Sequence, residues 1–416
     1  MKKSGVCFLM AISYLLFGQV LNAQTILASK LAHDIKILKD IDSHKPSKGT
    51  LIPKNIKARL GATHVGGKYY FTNEPYIIEG AKKLYSLGFG VCKLWFYKDV
   101  SGYKYNSDWN LPKNISLKDL AQHPYYKAAF DVPFSTFLLS TSGSGIRDIL
   151  NVTAEGLKKE ELEYYELTKY LLQEYKERNV EFILHNWEGD WIVRGGVERE
   201  AQWGRVSPPA DVDQRFLSMR KVFTARQNGV NKARDEVKNS QCKVYHAIEV
   251  NKVIDAIYGV PTLATEVLPY VEVDMVSWSA YDATDFDKSG LDLYKGIEFL
   301  KSKIKPTNYI KKPVVFLGEI GVPEIATKEQ PQEFKERWDT YLAVCLAQKI
   351  PYIVHWELFC NETAKGVEKI NQPQSTKSNT DLNGFWLVKP DGKIGYAMEY
   401  FDKVLKNAGS KISDIN

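Results

Sequence analysis

Cysteine is scarce in this chain: five residues in 416, and one of them, Cys7, lies inside an N-terminal apolar run. The other four, Cys92, Cys242, Cys345 and Cys360, have no close metal-type spacing and are too few for a disulfide scaffold. Cys92 and Cys242 fall in apolar runs and are expected as buried strand residues, which leaves Cys345 and Cys360 as the pair open to a disulfide. Long apolar stretches are absent after the first residues, so the body of the chain is not expected to enter a membrane. No strand candidate leads into a glycine-rich phosphate turn, which argues against a dinucleotide site. A basic stripe with interleaved aromatics is also missing. The net charge of +6 is spread over 56 basic and 50 acidic side chains, and no nucleic-acid partner is expected. No His-x-His closes the first strand candidate and no His-x-x-x-His helix appears, so neither a metal nor another cofactor is predicted.

Aromatic residues, by contrast, are plentiful: 9 Trp, 24 Tyr and 18 Phe. That is more than packing alone asks for, and flat rings facing a cleft suit sugar rings. The first residues, "MKKSGVCFLMAISYLLFGQVLNAQ", place two lysines before an apolar run and end it on a small residue. This layout predicts a signal peptide over residues 1–23, cleaved near Ala23, and hence a secreted or periplasmic protein with no membrane insertion after cleavage. A retained anchor is the rival reading. Residues 24–57 are polar and lysine-rich and are expected to lie across the bottom of the following domain or to stay mobile.

From residue 58 to 416, short β-branched or apolar runs alternate with segments of helical period. Strands are predicted at Arg59–Val65, Gly90–Phe96, Pro133–Ser140, Val180–Glu188, Lys243–Val250, Val273–Tyr281, Pro313–Glu319 and Tyr352–Leu358. Helices are predicted at Pro75–Leu87, Lys158–Asn179, Asp211–Val237, Leu291–Ile304, Pro331–Lys349 and Tyr396–Lys406. Eight strands alternating with helices predict an α/β fold, a (β/α)8 TIM barrel with inserted loops. Residues 360–383 lack apolar periodicity and read as a long loop after the eighth strand.

In such a barrel chemistry gathers at the carboxyl ends of the strands. Counting strands puts Glu188 at the end of the fourth and Glu319, in "VVFLGEIG", at the end of the seventh. A buried acid needs a partner, a proton or a cleft. Two carboxylates across a barrel mouth can cleave a glycosidic bond, one protonating the departing oxygen and the other attacking the anomeric carbon or activating a water. An oligo- or polysaccharide is therefore the expected substrate, and the gap that separates retaining from inverting action is not written in a sequence. Around the pair, His64, Lys93 and Trp95 on the first two strands sit where sugar hydroxyls would be bound. His246 and Glu249 alternate in facing on the fifth strand, so at most one points inward. Trp191 and Trp203 follow the fourth strand as possible stacking platforms, and Glu357 beside Trp356 is a substitute carboxylate.

These motifs resemble clan A of the glycoside hydrolases, (β/α)8 enzymes with an acid/base glutamate ending strand four and a nucleophilic glutamate ending strand seven. The resemblance implies Glu188 as acid/base and Glu319 as nucleophile of a retaining double displacement. In "VDMVSWSAYD" it implies Tyr281 contacting the nucleophile, and in "IVHWELF" Trp356 flooring the subsite of the cleaved sugar. One position departs: the clan's Asn before the acid/base Glu, which binds the sugar 2-hydroxyl, is Trp187 here, with Asn186 one place earlier. Either a bulge lets Asn186 take that role or the role is lost. That departure keeps open a non-catalytic carbohydrate-binding barrel. A metal-dependent hydrolase, built from His64, His185, His246 and His355, is the third reading. Oligomeric state is not readable from the sequence.

Overall fold

The computed structural model describes residues 27–141, 149–195, 208–370, 373 and 378–412. The predicted signal peptide and Trp203 lie outside them. Eight parallel strands close into one barrel: β1 Leu60–His64, β2 Val91–Phe96, β3 Thr136–Thr141, β4 Glu181–His185, β5 Lys243–Val250, β6 Met275–Ser279, β7 Val315–Ile320 and β8 Ile353–His355. Each pairs with its sequence neighbours, and β1 closes on β8 through Leu60 opposite Ile353. All eight predicted strands are present. Most observed strands are shorter, because a residue beyond the last ladder hydrogen bond leaves the strand even when the apolar pattern continues.

Away from β7, side chains along the strands alternate in facing. On β2, Phe96 packs outward on Tyr126 and Phe130 of the helix Pro124–Asp131, whereas Lys93 points into the barrel. On β5, His246 points outward, against Tyr164 and Phe223, which leaves Glu249 inside.

Seven longer helices surround the sheet: α1 at residues 27–43, α2 Tyr76–Ser86, α3 Ala154–Glu174, α4 Val212–Glu236, α5 Leu291–Lys303, α6 Pro331–Ala347 and α7 Tyr396–Lys406. Thr153 caps α3 by accepting from the Gly156 N–H, the role for which a threonine before a helix is favoured. The lysine-rich leader is α-helical over residues 27–43. Ile37 and Ile41 of α1 are buried, and Asp34 and Asp40 reach Lys295 and Tyr294 of α5 at 2.6 and 2.9 Å. Only its later residues underlie the barrel, where Ile52 and Ile56 are buried and the Lys57 carbonyl accepts from the Gly90 N–H. Cys92, Cys242, Cys345 and Cys360 are all free and buried, so the Cys345–Cys360 pair is not joined. No described helix is long and apolar enough to cross a membrane.

Candidate active site

Two register shifts shape the barrel mouth, both on β7. Trp278 pairs with Leu317, but the next residue of β6, Ser279, pairs with Glu319, so Gly318 is the extra residue of a bulge. A similar shift separates β7 from β8. Bulges re-aim side chains at barrel rims, and this one sets Ser279 directly beside Glu319. A glycine is required at position 318: a Cβ there would lie 1.9 Å from the Ser277 Oγ and 2.6 Å from the Glu249 Oε2.

Lys93 stands at the centre. Fully buried, its ammonium donates to Glu319 Oε1 at 2.8 Å, to Glu249 Oε2 at 3.2 Å and to the Gly318 carbonyl at 3.1 Å. Burial would strip its proton, but Glu249 and Glu319 more than offset this and raise its pKa above the ordinary value. Glu249 also collects Ser277 Oγ at 2.7 Å and the Glu188 backbone N–H at 3.0 Å, with His185 Nδ1 at 3.5 Å. Against its burial, Lys93, His185 and these donors pull the Glu249 carboxyl below its usual range, so Glu249 is the settled anion of the group.

Glu319 and Glu188 differ from it. Burial first, then Glu249 and Glu188, push Glu319 up to about 8, against the pull of Lys93. Burial raises Glu188 as well, against the hydrogen bonds from Ser279 and Trp191. Glu188 begins the short helix Gly189–Val193 in a left-handed backbone with φ 29, a conformation that costs a non-glycine residue about 1–3 kcal/mol and gathers at functional sites. Its Oε2 accepts from Trp191 Nε1 at 2.7 Å and its Oε1 from Ser279 Oγ at 2.7 Å. The same hydroxyl lies 3.3 Å from Glu319 Oε2. Those two carboxylate oxygens are therefore at most about 6 Å apart.

Asn186 is committed elsewhere. Its Oδ1 accepts from the Glu249 N–H and its Nδ2 donates to the Glu249 carbonyl, both at 3.0 Å. The side chain thus extends the β4–β5 ladder beyond His185, making one hydrogen bond at each of its two polar atoms. Asp190 acts in the same way, accepting from the N–H groups of Asn251, Lys252 and Leu263. Trp187 instead reaches the mouth beside Trp95, ring centres 5.7 Å apart, and Trp95 lies 5.0 Å from Tyr97.

Tyr281 is beside the pair, but its buried hydroxyl makes no hydrogen bond. Burial, Glu319, Glu362 and Glu188 drive its phenol well up. Lys93, rather than Tyr281, is the donor to Glu319. Trp356 directly follows β8 and is 8% exposed, within a mouth that also holds Phe385, 6.1 Å from Tyr281 between ring centres. Glu357 is buried, accepts from the Asn361 N–H at 2.7 Å, and burial raises its pKa well above the ordinary value.

The histidines do not converge. His64 bonds the Tyr76 carbonyl at 2.8 Å on the helix side of β1, and His246 faces Gln227 of α4 at 3.2 Å. Strand alternation turns both outward, so neither reaches the mouth. His355 packs on Trp338 and Phe401, and only His185 is inside, held neutral by burial that takes its pKa to about 4. Among the described residues no group of three or more His, Cys, Asp or Glu side chains could hold a metal ion. Sequence reasoning missed Ser277 and Ser279. Both share the parity of Tyr281 along the predicted strand Val273–Tyr281, which was the signal available.

No family model and no curated protein matches the sequence. Solved structures do match in fold. A GH5_18 variant from Streptomyces cattleya in complex with Manβ1-4GlcNAc has a TM-score of 0.53 and 12% identity, covering 84% of this chain and 80% of that one. GH5_18 from Bifidobacterium longum subsp. infantis gives 0.53 and 12%, over 84% and 79%. That from Bifidobacterium longum subsp. longum ATCC 55813 gives 0.50 and 13%, over 84% and 78%. At such identities what is shared is the barrel, the architecture on which these glycoside hydrolases are built.

Proposed function

We propose that this chain is an exported glycoside hydrolase acting on an oligo- or polysaccharide by retaining double displacement, with Glu319 as nucleophile and Glu188 as acid/base. One observation carries the reading: Glu188 and Glu319 come from the ends of β4 and β7 to a single hydroxyl, Ser279 Oγ. A ceiling of about 6 Å between their nearest oxygens suits the roughly 5–5.5 Å of retaining pairs better than the roughly 6.5–9.5 Å that admits a water. Glu319 would attack the anomeric carbon as Glu188 protonates the departing oxygen. Water would then break the ester to Glu319 and return its proton to Glu188. Lys93 offsets the charge of the attacking carboxylate, and Trp95, Trp187 and Trp356 offer ring faces to sugars. Export rests on the N-terminal lysines and apolar run.

The commitment of Asn186 to backbone favours one competitor, a barrel that binds sugar without cleaving it. Aryl glycosides and plant and microbial polysaccharides, incubated with the protein and with Glu319→Gln, distinguish the two by released phenol and new reducing ends. Turnover lost in the variant supports the hydrolase. Sugar binding without turnover in either protein supports the competitor.

A further inference from the structure

Resting on the reading of Glu188 and Glu319 as the working pair, we infer that Ser279 is a proton-relay positioning residue that joins the two carboxylates into one unit holding a single proton. The geometry is asymmetric and complete. Ser279 Oγ lies 2.7 Å from Glu188 Oε1 and 3.3 Å from Glu319 Oε2, and the residue is fully buried.

A hydroxyl has one proton to give and lone pairs to accept with. Between two carboxylates it forms a continuous chain only when one of them is protonated and the other ionised. With the proton on Glu188, Glu188 donates to Oγ and Oγ donates to Glu319. With the proton on Glu319, the same chain runs in reverse. Passing from one to the other moves the Glu319 proton to Oγ as the Oγ proton moves to Glu188, with no net change in protons or charge. The site thereby reaches the arrangement catalysis needs, proton on Glu188 and charge on Glu319, without exchange with solvent. Once Glu188 has protonated the departing oxygen and Glu319 is esterified, the hydroxyl donates to Glu188 alone and supports it as base.

The other ionisable groups facing the pair are Lys93 from β2, Tyr97 directly after it, Glu249 from β5, Tyr281 after β6, and Glu357 and Glu362 after β8. Of these, Lys93 alone hydrogen-bonds a carboxylate of the pair, whereas Glu249 accepts from the Glu188 backbone N–H. The Tyr281 hydroxyl makes no hydrogen bond.

The chain stabilises the one-proton state against both the two-proton and the zero-proton states. Removing it should bring the two titration steps together from both sides, by about one pH unit each for a hydrogen bond to a charged group. The test is carbon-13 NMR of glutamate-labelled protein, following the carboxyl carbons of Glu188 and Glu319 in wild type, Ser279→Ala and Ser279→Thr. Expected are two separated steps in wild type, a narrowed interval in Ser279→Ala, and the wild-type interval restored in Ser279→Thr. Wild-type spacing kept in Ser279→Ala overturns the inference. Narrowing in both variants overturns it too, by assigning the effect to packing. On an active substrate the same narrowing appears in both limbs of the pH profile of kcat/KM. A wild type that cleaves nothing would defeat the hydrolase reading, yet the NMR titration would still decide whether Ser279 couples the carboxylates.

Discussion

Glu319→Gln replaces a buried carboxylate with a neutral side chain of the same shape, and its effect on stability should depend on pH. The folded protein holds Glu319 at about 8, against an ordinary value of 4.5. An acid whose pKa rises on folding takes up a proton as the chain folds, so its contribution is intact below 4.5 and is lost as pH climbs through 8. At 1.36 kcal/mol per unit, the unfavourable contribution relative to a non-titrating side chain is about 2 kcal/mol at pH 6 and about 4–5 kcal/mol at pH 9. Glutamine still accepts from Lys93, and Lys93 keeps Glu249 at 3.2 Å, so the packing changes little. The variant should therefore gain on the wild type by about 3 kcal/mol between pH 6 and pH 9, roughly 3 °C in Tm for a chain of this size. Urea unfolding at both pH values, followed by tryptophan fluorescence, measures the gain, and thermal melts give the second readout. A difference that stays constant with pH, or shrinks as pH rises, would refute the argument that Glu319 is held protonated by its surroundings.

Other substitutions probe the same cluster. Lys93→Met leaves Glu249 and Glu319 without their shared cation and should destabilise the protein by about 3–5 kcal/mol, seen as a lower urea midpoint with the largest loss at high pH. Gly318→Ala places a methyl 1.9 Å from Ser277 Oγ and should cost about 1–3 kcal/mol in overpacking. It should also lower kcat more than it raises KM, because the bulge that aims Glu319 must move. Asn186→Ala removes two hydrogen bonds to the Glu249 backbone, worth about 1 kcal/mol each. Thermal melts should show the loss, and any effect on turnover should appear in kcat through the Glu188 N–H that Glu249 holds.

Much of the architecture was legible because strand order and strand facing are sequence-local properties. The predicted and observed limits of Lys243–Val250 coincide, and the facing argument that set His246 against Glu249 there could also have removed His64 from the mouth. The leader, expected across the barrel bottom or mobile, underlies the barrel with its later residues, while its helix at residues 27–43 went unread. Its composition is polar, but Ile37 and Ile41 lie four apart on one face, and that stripe became decisive only because α5 was there to receive it.

The site was legible one residue at a time and illegible in its relations. Glu188, Glu249, Glu319 and Lys93 could each be placed near a strand end, yet nothing along the chain says that Lys93 spans the barrel to meet two of them, 156 and 226 residues away. The decisive contact depends on a bulge. Without the extra residue at Gly318, Ser279 would pair one position earlier on β7, and Glu319 would turn to the opposite face, since a one-residue slip reverses side-chain facing. Beyond its parity with Tyr281, a serine at the end of a strand carries no pattern that marks it. It matters only where a register shift sets its hydroxyl between two acids, so the feature on which the proton arrangement of this site turns is a property of pairing, recorded in neither strand alone.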